Sequence, residues 1–518
     1  MDPKTIHDRR WWTLGVLCLS LVIVFVGNAS LNVAIPVLSR ELHATTSELQ
    51  WVVAIYSLVF AGLLFSTGAL GDRFGRKGVL QLGLVLYLVG AALATKSSAM
   101  GQLIACRGLM GAAAALIMPS TLSILINVFP AGERAKAIAI WASFTGAAGA
   151  LGPPISGWLL GHFWYGSIFF INVPLIMLAL IAGRFLVPKS RDPKEAPLDP
   201  VGAVLSVIGI VALVYGLIEA PSNGWTSSTT LSAFGVAAAV LTLFALWELH
   251  HTEPMLDIRY FRNPAFTTGT AGLMLVFLGM YGVMFLLTQY FQLVLGFTPL
   301  GAAIRLLPMP PIMLIVSPMT PRLCARFGTH RVVTTGMLFV AGGFLLFSRV
   351  GVHTPYLYIL ASLVPFISGM ALTMSPMTGS IMSAVPPRRA GAGSAMNDAS
   401  RELGAALGVA VLGSVAASKY ASALDGVTRH LPKDLQAQAR SSLTGAQQVA
   451  SQLPHAAGAI VRTGADAAFI DGIHLACVVG GALAVAAAVL VFRCLPRTAM
   501  ETEPVEVGLP ATAPALAD

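Results

Sequence analysis

Charge is what this sequence has least of. Asp, Glu, Lys and Arg make up 11% of its 518 residues against 56% hydrophobic ones, and the mean hydropathy is +0.77. A soluble domain carries roughly a quarter of its residues as charges, so a water-soluble globular chain is excluded. Cysteine is scarce as well: Cys18, Cys106, Cys324, Cys477 and Cys494 form no C-x-x-C pair, which leaves neither a disulfide framework nor a zinc site. No G-x-x-x-x-G-K-[ST] loop is present to cradle nucleotide phosphates. Nor is there an H-E-x-x-H pair, and nearly all ten histidines fall at the ends of apolar blocks or in loops. ATP-driven pumping and metal-assisted hydrolysis lose their sequence basis, and neither a metal nor a cofactor is expected. Short alternating segments of the kind that build a membrane β-barrel are also missing.

What the chain has instead is fourteen apolar blocks, the first near residues 13–37 and the last near 472–493. A bilayer span needs about 20 such residues, and with no water to satisfy the backbone those blocks must be helices. An even number puts both ends on one side. With the N-terminus taken as cytoplasmic, twenty-two of the 32 Lys and Arg fall inside, eight outside, and Arg107 and Arg305 within the membrane. This predicts N-in and C-in, and makes the net charge of +9 a topology signal rather than a footprint for nucleic acid. The first block outruns a signal-peptide core and lacks an A-x-A site, so it is expected to remain as a helix. Trp11, Trp12, Trp51, Trp164, Trp225 and Trp247 lie at block ends, where indole rings settle among headgroups.

Between the second and third blocks stands GALGDRFGRKGVL, Gly68 to Leu80, with four charges and four glycines in thirteen residues. Glycine permits the turn and the positive-inside rule places the bases, but neither accounts for Asp72. RLCARFGTHRVV, Arg322 to Val333, repeats Arg73-Phe74-Gly75 as Arg326-Phe327-Gly328, with Ala325 in place of Asp72. If blocks seven and eight are an insertion, the two turns hold equivalent places in two sets of six. The expected fold is an all-α integral membrane protein of fourteen transmembrane helices. It comprises a cytoplasmic N-terminus (1–12), an N-terminal six-helix half (13–187) and two inserted helices with flanking loops (188–250). A C-terminal six-helix half (251–495) follows, including a long polar outer segment (419–471), and a cytoplasmic tail (496–518) is expected to be disordered.

These stretches carry a resemblance. GALGDRFGRK is similar to the loop 2-3 signature of the major facilitator superfamily, RGLMGAAAALIMPS (Arg107 to Ser120) to its fourth-span signature, and GAAGALGPPISGWL (Gly146 to Leu159) to the fifth-span signature of antiporters. FFINVPL (Phe169 to Leu175) and PMLDIRYFRNPAF (Pro254 to Phe266) resemble segments of the fourteen-span drug:proton antiporter branch, and the likeness covers roughly residues 13–495. It implies a secondary exporter of amphipathic or lipophilic compounds, of multidrug type, driven by a proton gradient without a cofactor. It also implies a monomer in the bacterial cytoplasmic membrane, with lipid and a small molecule as partners. The alternatives are a transporter of an endogenous lipid or metabolite, and a non-transporting sensor or lipid-binding scaffold.

By the same resemblance Gly71, Asp72, Arg73, Gly75, Arg76 and Lys77 form a gating loop whose acid bridges the halves, facing Arg388, Arg389 and the start of span 13. Arg107 takes a role in proton coupling, with snorkelling to headgroups as its plain alternative. Gly149, Gly152, Pro153 and Gly157 form a bend that lets span 5 hug its counterpart across the halves, although Ser156 departs from the pattern. Two acids common among relatives are missing, since Gly27 and Ala54 stand in their places. The remaining candidates to carry the proton are Asp398 and Glu402, one helical turn apart with Arg401 beside them, with acids favourably placed at a helix N-terminus as the plain alternative. Asn28, Asn32, Tyr56, Tyr281 and Gln289 are the candidates to offer hydrogen bonds in a central cavity, with polar glue between helices as the plain alternative. Without an acid in the first half, neutral, zwitterionic or lipidic cargo is expected over dications, and Gly27 is expected to leave room for an introduced carboxylate.

Overall fold

The computed structural model describes residues 3–188, 199–251, 254, 256–385 and 390–495; for some helical positions, Asp72 among them, only the backbone is described. Among these residues there is no strand. The chain runs through α1 (Pro3–Glu41), α2 (Thr46–Phe74), α3 (Arg76–Thr95), α4 (Met100–Val128), α5 (Ala131–His162), α6 (Ser167–Phe170) and α7 (Asn172–Leu186). There follow α8 (Pro200–Asn223), α9 (Ser228–His250), α10 (Pro264–Gln289), α11 (Pro299–Ile304), α12 (Met309–Val316), α13 (Thr320–Phe327) and α14 (Thr329–Phe347). The last are α15 (Tyr356–Ser383), α16 (Ala390–Thr428), α17 (Lys433–Ser441), α18 (Leu443–Gln452) and α19 (His455–Cys494). Thirteen helical stretches among the described residues are long and apolar enough to cross a membrane. The fifth apolar block of the sequence is α5, 32 residues long with part of its side chains undescribed, and it stands outside that number.

Local chemistry sets the boundaries. A reciprocal capping box starts α2: the Thr45 side chain accepts from the Glu48 amide while the Thr45 amide donates to the Glu48 carboxylate at 2.9 Å. The charged turn that ends α2 is a single non-helical residue, Gly75, at φ 100°, whose amide donates to Gly71 O at 3.1 Å. Gly328 does the same between α13 and α14, at φ 85° with its amide on Cys324 O at 2.9 Å. Left-handed backbone of this kind strains any residue with a Cβ, so the sequence repeat is also a repeat of geometry. The tenth block breaks into α11, α12 and α13 because prolines at 308, 310, 311, 318 and 321 deny it continuous hydrogen bonding.

Helices α1 to α7 pack on one another, as do α10 to α19. The two bundles meet along α2–α16 and α5–α11, with α1 against α10. Gly111 lies against the Tyr56 carbonyl, and Gly404 and Gly408 lie against the Met274 and Leu278 carbonyls, so a side chain at these points would part α2 from α4 and α10 from α16. The hairpin α8–α9 packs along both α2 and α16.

Hydrogen bonds between the bundles gather at the end that carries the α1–α2 loop. Gln50 Nε2 donates to Val409 O at 3.2 Å and Gln292 Nε2 to Val33 O at 2.9 Å. At the same end α17 and α18 form a cap: Thr46 Oγ1 donates to Ser441 O at 2.9 Å, Gln447 Nε2 to Leu293 O at 3.1 Å, and Gln448 meets His43 at 3.0 Å.

Candidate functional site

Arg107 is the largest fully buried side chain among the described residues, with no surface exposed to solvent. Its Nη2 donates to Asn28 Oδ1 at 3.1 Å and its Nε to Val52 O at 3.2 Å, while the guanidinium lies 4.3 Å from the centre of the Tyr56 ring. Nη1 has no hydrogen-bond partner among the described residues. The side chain therefore points into the protein, and snorkelling does not describe it. Asn28 in turn donates to the Tyr281 hydroxyl at 3.5 Å, which joins α1 of one bundle to α10 of the other.

From the second bundle, α16 brings Glu402 to the same place. Its carboxylate lies beside Ser57 of α2 and interacts electrostatically with Arg107, Tyr56 and Tyr281. Its Oε2 has no hydrogen-bond partner among the described residues. One turn back, Asp398 Oδ1 accepts from Asn397 at 3.3 Å and lies 3.8 Å from Arg401, whose guanidinium sits 4.8 Å from the centre of the Phe277 ring. Five residues singled out from the sequence, Asn28, Tyr56, Arg107, Tyr281 and Glu402, thus converge from α1, α2, α4, α10 and α16. A carboxylate on one bundle in the field of a guanidinium on the other ties protonation to how the bundles sit together.

Other residues fall elsewhere. Asn32 has a buried Oδ1 without a hydrogen-bond partner among the described residues, and Gln289 donates to Phe285 O of its own helix at 3.0 Å. In α5, a Cβ on Gly157 would lie 2.7 Å from the Leu300 Cα and one on Gly152 2.8 Å from Ala29, whereas Gly149 faces open space. Pro153 lies within the helix. Around the charged turn Arg73 covers Phe74 at 5.6 Å, and Lys77 Nζ donates to Arg184 O and Val187 O at 2.8 and 2.7 Å, capping the end of α7. The Asp72 side chain, Arg388 and Arg389 lie outside the described residues, as does the tail 496–518.

Two expectations need correction. A Cβ on Gly27 would collide with the Tyr87 hydroxyl and lie 3.5 Å from Asn172 Nδ2, so the position is packed against α3 and α7 and holds no vacant room. Ala54 faces no cavity either; it is fully buried with Leu58, Val214, Ile218, Ala406 and Ala410 where α2, α8 and α16 meet. Sequence reasoning also missed Ser57, Tyr87 and Gln292. A hydroxyl or amide in a span commonly satisfies itself on its own helix, so the type of residue gave no signal.

Among the described residues no cluster of three or more His, Cys, Asp or Glu is arranged to hold a metal ion. Comparison with known proteins agrees with the geometry. The chain is 36% identical over 484 residues to the multidrug efflux pump LfrA of Mycolicibacterium smegmatis, covering 93% of this chain and 96% of that protein. It is 34% identical to the methyl viologen resistance protein SmvA of Salmonella typhimurium, covering 89% and 93%. The tetracenomycin C resistance and export protein of Streptomyces glaucescens is 31% identical, covering 98% and 96%. Among solved structures, a bacterial homologue of the human lysosomal transporter Spinster, inward-facing and unoccupied, superposes with a TM-score of 0.65 at 16% identity, covering 93% and 98%. The inward-open xylose transporter XylE of E. coli gives 0.58 at 14%, covering 95% and 98%. With residues 17–409 matching its sequence profile, this multi-pass chain is a membrane transporter and belongs to the Major Facilitator Superfamily.

Proposed function

We propose that this protein is a proton-coupled exporter of amphipathic or lipophilic compounds in the bacterial cytoplasmic membrane, working as a monomer with fourteen spans and both ends cytoplasmic. In this reading α1 to α7 and α10 to α19 are the two rocking halves, α8–α9 is the inserted pair, and the α1–α2 end, where hydrogen bonds join the bundles, faces outward. Relatives named for efflux and drug resistance support it.

The observation that carries the mechanism is Glu402 facing the Arg107–Asn28–Tyr56 cluster across the seam. Glu402 takes the proton from outside and releases it inside, with Asp398 and Arg401 as its neighbours. Arg107 holds the first half together through Asn28 and Val52. A carboxylate gained or lost here changes the attraction between the halves, which is what an alternating cavity needs. The glycine-turn acid, Asp72, steadies the state open to the outside, while Gly152 lets α5 close on α1 and Gly157 lets it close on α11.

The test is export of a fluorescent amphipathic dye from proteoliposomes under an imposed pH gradient. Glu402→Gln is expected to abolish gradient-driven export while leaving dye binding within about threefold. Export that survives this change undiminished would remove Glu402 from the mechanism.

A further inference from the structure

The inserted hairpin is not a bystander in the membrane. On α2, residues Trp51, Ala54, Leu58 and Gly62 recur at helical spacing and face α8, where Val207 meets Gly62 and Val214 and Ile218 pack against Ala54 and Leu58. On α16, Ala406 and Ala410 continue the stripe that begins at Glu402 and join the same cluster. Helix α8 therefore lies along the α2–α16 seam, the seam at which Ser57 of α2 meets Glu402 of α16.

One end of this contact is polar. Glu219 Oε1 accepts from Ser47 Oγ at 2.6 Å and from Trp51 Nε1 at 3.1 Å, both on α2. The Trp51 ring also packs on Tyr215 of α8 at 6.1 Å, and Trp225 beyond the end of α8 donates to Ser418 of α16 at 3.2 Å. The hairpin is fastened to both halves.

Resting on the proton-coupled reading above, we infer that the α8–α9 hairpin belongs to the coupling machinery: α8 walls the seam beside Glu402 against lipid, and Glu219 is a positioning residue that holds α2, and with it Ser57, at that seam. Asp398 and Arg401 of α16, Arg107 of α4, Tyr56 of α2 and Tyr281 of α10 are the charged and titratable groups that face Glu402. Toward this seam α8 presents apolar side chains, Val211, Val214 and Ile218. Ser47, which Glu219 holds, is ten residues from Ser57, or about 15 Å along α2. Glu219 thus acts through helix placement and not through a direct contact with the acid.

The experiment measures the pH midpoint of dye export by the full-length protein in proteoliposomes. Glu219→Ala is expected to displace the midpoint by about half a unit or more, because it moves a hydrogen-bonding neighbour of the titrating group. Glu219→Gln is expected to restore the original midpoint, since an amide oxygen accepts from Ser47 and Trp51 as a carboxylate does. Trp51→Phe, which keeps an aromatic ring on Tyr215 but removes the N–H and part of the ring, is expected to give a smaller displacement and serves as the readout if Glu219→Ala fails to accumulate. An unmoved midpoint in both Glu219→Ala and Trp51→Phe overturns the inference. So does a Glu219→Gln protein displaced as far as Glu219→Ala, which would make charge rather than position the cause. Loss of any pH midpoint in the unmodified protein would instead overturn proton coupling itself, and this inference with it.

Discussion

At the scale of single residues, Arg107 shows how a membrane-embedded charge is tolerated. Leaving it unpaired costs several kcal/mol, and the chain offsets this with an amide oxygen, a backbone carbonyl and an aromatic face. Arg107→Lys is expected to fail as a conservative change, because a single ammonium does not reproduce a planar fork aimed at Asn28 and Val52 together. Gradient-driven exchange should fall at least about tenfold in Arg107→Lys and Arg107→Ala while equilibrium dye binding falls less, measured side by side in detergent and proteoliposomes. Equal losses would assign the residue to packing alone. Gly27 gives the opposite lesson. Its Cβ would meet Tyr87, so Gly27→Asp is expected to destabilise the fold by about 1–3 kcal/mol through overpacking, visible as a lower melting temperature of the purified protein. Retained stability together with new dication export would show that Tyr87 yields easily. Arg107, Asn28, Tyr56, Tyr281 and Glu402 were legible in the sequence because polar groups in apolar blocks are costly and need a reason. Which way Gly27 and Ala54 point was not legible, since small residues carry no mark of the face they occupy.

Among the elements, the apolar blocks foretold the helices closely because backbone satisfaction in lipid leaves no other choice. Two blocks are exceptions: the sixth is interrupted at Ile171 between α6 and α7, and the tenth has the right length, but proline divides it into α11, α12 and α13. The long polar segment was legible only as amphipathic. That α16 would continue to Thr428 and α19 begin at His455, carrying α17 and α18 between them, depends on packing that no periodicity records. The α5–α11 contact yields a sharper expectation. Gly157 brings the backbone of α11 so near that any side chain there must push it away. Gly157→Val is expected to loosen the α1–α2 end and raise the labelling rate of a cysteine introduced at that mouth by about threefold or more, with expression unchanged. A labelling rate equal to that of the unsubstituted protein would mean the two helices part without consequence.

Across the whole molecule, the contacts that cross the seam and the cap formed by α17 and α18 secure the same end. Gln50, Gln292 and Gly157 close it from within the membrane, and Thr46 with Ser441 and His43 with Gln448 close it from above. A transporter that alternates must break these bonds once per cycle, and the cap reaches from one half to the other, so it has to separate when that mouth opens. Joining the cap covalently to the α1–α2 loop is therefore expected to trap the protein rather than merely stiffen it. Thr46→Cys with Ser441→Cys puts one thiol in place of the Thr46 hydroxyl, 2.9 Å from the Ser441 carbonyl, and the other on the side chain of that same residue 441. Native Cys18, Cys106, Cys324 and Cys477 are buried, and replacing the exposed Cys494 by serine leaves the introduced pair as the reactive one. Oxidation should stop dye export, and reduction should restore it, while binding from the opposite side of the membrane continues in both states. Export that proceeds at full rate through the oxidised pair would mean that the cap travels with one half only, and that this end opens beneath it.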